Sequence, residues 1–162
     1  MVNLHTGYLV GRRVMLGFTL VEVLVVIAIA AILAAVAAPN LSWLILSNRI
    51  KNASFDVFSS LVYARSEAIT RNTTVTVTPT GGNWSSGWTV TEPVIGTVLR
   101  TQDALGSITI TGPASVSYNG MGRLSTAATT FSLTGTNANQ ANSRCISIDL
   151  SGRPVVNKGT CP

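Results

Sequence analysis

Glu22 is a carboxylate inside a greasy run. From Leu20 to Ala38 it is the single polar side chain, and with Phe18 and Thr19 the run is 21 residues long. About 20 apolar helical residues span a bilayer core. A charge within such a run costs on the order of a few kcal/mol, so it needs a partner. Phe18 lies four residues earlier and is preceded by Gly17. A cut between Gly17 and Phe18 would create an α-amine one helical turn from the Glu22 carboxylate. The two groups can neutralise each other, within one chain or between neighbours. The other reading of this stretch is an ordinary signal anchor, which explains neither Glu22 nor the Gly-Phe junction.

No other constellation offers chemistry. The one histidine, His5, lies upstream of that junction. Asp56, Glu67, Glu92, Asp103 and Asp149 are scattered, and no nucleophile elbow, phosphate loop or metal motif occurs. General acid–base work usually draws on a group titrating near neutrality, and the best one is absent downstream of residue 17. Neither an enzyme nor a bound cofactor is expected. Cys145 and Cys161 have fifteen residues between them. A pair in an exported domain reads as one disulfide, and closing that loop stabilises by roughly 3 kcal/mol. Two thiolates without a histidine are too few for structural zinc.

The elements that position these residues follow in order. Residues 1–17 form a leader with Arg12 and Arg13 just before the apolar run, which predicts the N-terminus inside and the remainder outside. The formal charge is +5; removing the leader leaves nine Lys/Arg against six Asp/Glu, or +3. Residues 18–38 form the anchor helix, alanine-rich from Ala28 onward, which suits close helix packing. Pro39 is expected to kink the helix.

An amphipathic helix then occupies 39–72. Leu44, Val57, Phe58, Leu61, Ala64, Ala68 and Ile69 are expected on its buried face. Asn48, Arg49, Lys51, Asn52, Asp56, Ser60, Arg65 and Glu67 are expected on the opposite one. Trp43 stands where an aromatic marks a membrane interface. From Thr73 the code changes to β: strands are expected at 73–78, 84–90, 97–101, 107–111, 114–118, 130–134, 144–150 and 154–157. A turn is expected at 79–83, a polar loop at 135–143, and the disulfide at the open end of a terminal hairpin. The fold class is α+β: a long kinked N-terminal helix on a C-terminal β-rich domain, 73–162.

The string GFTLVE, the apolar run and Pro39 together resemble the processing region of type IV prepilins and type II secretion pseudopilins. The resemblance implies cleavage after Gly17 by a prepilin peptidase, N-methylation of Phe18, and an assembly role for Glu22 and Pro39. The stretch YARSEAITRN (63–72), the W-x3-W pair and GRPVVNKGTCP (152–162) narrow it to the GspH/FimT branch of minor pilins and pseudopilins. That branch implies an antiparallel, β-sandwich-like domain packed on the helix, with other pilin or pseudopilin subunits and the bacterial inner membrane as partners. The implied path runs from that membrane, with the C-terminal domain periplasmic, into a pilus or pseudopilus. Some members bind double-stranded DNA through a basic G-R-x-R stretch. Here Gly152-Arg153-Pro154 matches, but Val155 replaces the second arginine. Arg144, Arg153 and Lys158 remain as the DNA-binding candidates, and three phosphate contacts imply weak, salt-sensitive binding.

Overall fold

The computed structural model describes residues 18–135 and 143–162, and within the helix it leaves out the side chains of 36–42. The expected leader, with Gly17 and His5, lies outside the described residues, as do the side chain of Pro39 and most of the polar loop at 135–143. The chain divides into two units, 1–40 and 41–162. Helix α1 runs from Leu20 to Arg71.

In the first unit, every described side chain from Phe18 to Ala35 is exposed. Such an all-round apolar surface calls for lipid or other helices around it. Among the described residues no helix is long and apolar enough to cross a membrane. The apolar sequence itself continues to Ala38.

In the second unit, α1 ends in a Schellman cap. Thr73 N–H donates to Ala68 O and Asn72 N–H to Ile69 O, both at 3.2 Å, with Asn72 at φ 49°. Eight strands follow: β1 (Val75–Pro79), β2 (Trp88–Glu92), β3 (Thr97–Gln102), β4 (Ile108–Thr111), β5 (Val116–Tyr118), β6 (Thr129–Gly135), β7 (Arg144–Ile148) and β8 (Pro154–Lys158). They form two antiparallel sheets, β3-β2-β1-β5 and β4-β6-β7-β8. Alternation sets the inner faces: Val75 and Val77 point in, Thr76 and Thr78 do not. Ile50, Val57, Leu61, Ala64 and Ala68 of the helix join Trp88, Tyr118, Phe131 and Ile146 in one core.

Two expectations are corrected. The buried helix face is rotated: Ser60 is fully buried, whereas Leu44 and Ile69 are about half exposed. The face is centred on Ile50, Val57, Leu61, Ala64 and Ala68, and at 100° per residue Ser60 lies about 70° from its middle, on the flank that the sheets still cover, while Ile69 lies about 110° away on the other side, beyond its edge. The strand expected at 84–90 begins only at Trp88. Trp84–Ser86 is a 3-10 turn capped by the Asn83 side chain, which accepts from Ser85 N–H at 2.9 Å. Gly87 then turns at φ 94°, with its Cα so close to Gln102 O that a Cβ would sit 2.2 Å from it. The turn aims Trp84 inward, where its Nε1–H donates to Pro113 O at 2.7 Å and its ring meets Phe131 edge-on.

Candidate functional site

Thr19 stands just before the helix, and its Oγ1 accepts from Glu22 N–H at 3.2 Å while its carbonyl accepts from Val23 N–H at 3.2 Å. Thr-Leu-Val-Glu is therefore an N-terminal capping sequence, with the acid three residues after the cap. This was legible in the sequence as T-x-x-E, and it gives Glu22 a local reason to be there. A carboxylate in the first helical turn also faces the positive end of the helix dipole. Phe18 precedes the cap and is exposed. An α-amine on Phe18 would thus lie at the same helix end as Glu22, beside the first turn's open N–H groups.

The C-terminal candidates are not brought together. Arg144 sits directly opposite Lys158 in the β7–β8 ladder. Arg153 lies beyond the other end of that ladder, past the Ile148–Pro154 pair. The two pairs are four residue steps apart, about 14 Å at strand spacing. Arg153 keeps different company. Its N–H donates to Asp149 Oδ1 at 3.3 Å, and Ser151 Oγ–H bonds the same oxygen. Those bonds hold the Asp149 carboxyl below its usual range, Ser151 contributing most.

The turn beside Arg153 touches a second one. Gly152, at φ 79°, packs so closely that a Cβ would lie 2.2 Å from Gly122 O. Arg65 clamps both turns, its Nε–H donating to Gly122 O at 2.8 Å and its Nη2–H to Ser151 O at 3.2 Å. Arg123 follows the one glycine as Arg153 follows the other. Nothing local in the sequence signals this contact between turns thirty residues apart. Tyr118 lies beneath it with a buried hydroxyl, whose acidity burial suppresses.

Cys145 and Cys161 are bonded, with Cα atoms 5.0 Å apart. Arg71 closes the other end of α1, pairing with Glu67 at 2.7 Å and Glu92 at 3.3 Å. Arg100 lies over the Tyr63 ring at 5.9 Å and faces Asp56, whose carboxyl burial nonetheless raises above its usual range. Among the described residues no three His, Cys, Asp or Glu side chains gather as a metal site.

The chain is similar in fold to the crystal structure of the type IV minor pilin FimU of Pseudomonas aeruginosa strain PAO1. In one crystal form the TM-score is 0.60 at 21% identity, over 68% of this chain and 89% of that one. In a second form it is 0.57 at 21% identity, over 66% and 91%. No curated protein matches. Residues 12–38, which carry the Gly17–Phe18 junction and Glu22, match the prokaryotic N-terminal methylation motif. Residues 53–152, more than half the chain, match the model described as type II transport protein GspH, and the chain belongs to that family of minor pilins and pseudopilins.

Proposed function

We propose that this chain is a minor pilin of a type IV pilus. It is cut after Gly17, methylated on Phe18, held in the inner membrane by 18–38 with its β-rich domain outside, and then built into a filament or used to prime one. Its role is structural, not catalytic. The observation that carries the reading is the arrangement at the start of α1. A helix capped by Thr19 begins two residues after Phe18, carries Glu22 in its first turn, and is apolar on every described side beyond. In a bundle of such helices the Glu22 carboxylate needs a cation, and the Phe18 amine of a neighbouring subunit supplies it. A misregistered neighbour leaves two charges unmet, so the pair fixes axial register as well as energy.

The test is Glu22→Ala in the full chain. We expect normal processing, read by N-terminal sequencing at Phe18, with strongly reduced recovery in sheared filaments. Wild-type incorporation refutes the role of Glu22, and a native chain that begins at Met1 refutes the processing.

A second reading is favoured by the description of the matched family: a type II secretion pseudopilin with the same membrane and assembly physics. Gene neighbourhood separates the two, with pilus assembly genes on one side and a secretion operon on the other. DNA capture draws less support, because Arg144 and Lys158 lie a ladder's length from Arg153.

A further inference from the structure

Arg144 and Lys158 pose a problem that the filament reading leaves open. Like charges directly opposite in a ladder repel, and among the described residues the ion pairs within 4 Å involve Arg71 alone. Their position supplies an answer. The row Leu133–Arg144–Lys158 is two residues from Gly135, the last residue of β6. Gly135 sits against Leu46, with a built Cβ only 2.8 Å from that side chain. Ile108 pairs with Gly135, and Ser107 beside it accepts from Arg49 Nη1–H at 3.4 Å. Arg49, Lys51, Arg144 and Lys158 therefore lie at one end of the domain, where α1 enters it. At the same end Trp43, Leu44 and Ile45 are exposed to between 46% and 59%. Asp56 lines a groove with Arg49 and also faces Arg100, and Asp103 lies in the loop after β3. Glu67, Glu92 and Asp149 lie toward the far end with Arg71 and Arg153.

We propose that this end of the domain docks on an anionic phospholipid surface while the subunit waits in the membrane. The inference rests on the reading of 18–38 as a membrane anchor. Trp43 marks the headgroup level. Arg49 and Lys51 are six and eight residues further on, a rise of about 9 and 12 Å, and helical side chains lean back toward the N-terminus. Arg144 and Lys158 complete the set from the sheet. Lipid phosphates supply a counter-charge to Arg144 and Lys158, which make no ion pair within 4 Å among the described residues, and the attraction reaches across about one Debye length. Leaving the membrane for a filament would then require releasing these contacts.

The chain has just two lysines, Lys51 and Lys158, and both belong to this patch. The test reconstitutes the full chain into phosphatidylcholine vesicles with and without phosphatidylglycerol. Acetylation of each lysine by an amine-reactive ester is followed by mass spectrometry, with glyoxal labelling of Arg123 and Arg153 as the far-end control. We expect lysine labelling to slow about fivefold in the anionic vesicles, matching the attraction of one basic residue to such a surface. Salt should restore it, and the control should not change. Equal lysine rates in both vesicles, with the chain floating in both, overturn the docking and leave the anchor standing. A chain that floats with neither overturns both. Protection of Lys158 by duplex DNA in neutral vesicles, without protection by phosphatidylglycerol, overturns the lipid assignment in favour of DNA.

Discussion

Gly152→Ala tests how the β domain is locked to its helix. The residue sits at φ 79°, and a Cβ there would lie 2.2 Å from Gly122 O and 3.1 Å from Tyr118 Cε1. The left-handed backbone costs a non-glycine residue about 1–2 kcal/mol. Relieving a contact with a backbone oxygen requires the two turns to separate by about an ångström, since ordinary carbon–oxygen contact begins near 3.4 Å. That movement stretches both Arg65 hydrogen bonds, at 2.8 and 3.2 Å. Charged bonds of this kind contribute about 1.5–3 kcal/mol each, taken here at about 1 kcal/mol because Arg65 is only half-buried. The expected loss is about 3–4 kcal/mol, or roughly 15 °C in Tm for a domain of this size. Gly159→Ala is the control: its φ is 105° and its surroundings are open, so only the backbone cost applies. Thermal unfolding of the full chain in detergent, followed by fluorescence of the buried Trp84 and Trp88, reads both variants. Equal losses for the two, or a Gly152→Ala loss below about 1 kcal/mol, would refute the account of the touching turns.

Two further outcomes follow from the same geometry. Replacing Cys145 and Cys161 together by serine should cost about 3 kcal/mol from loop entropy. Dithiothreitol should bring the native chain to the same denaturation midpoint, and a reduced chain as stable as the oxidised one would contradict this. Asp149 has its carboxyl held below the ordinary 3.8, so its contribution to stability is present above that pH and is lost as pH falls through the lower, folded-state value. Asp149→Asn should therefore flatten the acid limb of a stability–pH curve below about pH 4, and an unchanged limb would remove Asp149 from it. Asp56, with its carboxyl raised, runs the opposite way: its contribution is greatest below 3.8 and is lost as pH rises through the raised value.

The sequence by itself determined the apolar run, the prepilin-like motif in front of it and the order of elements. A junction glycine, an acid at fixed spacing and an unbroken apolar run are local facts, and solvent physics reads them without a fold. The change from helical to alternating periodicity near Asn72 is equally local, and α1 ends at Arg71. So is the terminal hairpin, where Asp149–Gly152 turns and the cysteines meet. What tertiary structure decided is which surfaces meet. The helix carries apolar residues over more than half its girth, so the sequence offered several faces, and the sheets selected the one that buries Ser60 and leaves Ile69 out. Whether Arg144, Arg153 and Lys158 act together depended on strand register, which sends Arg153 to one end of a hairpin and the other two to the opposite end. Register is a property of pairing between distant segments, so no stretch of the chain encodes it alone. The contact of Gly122 with Gly152, thirty residues apart and clamped by Arg65, is fixed in the same way.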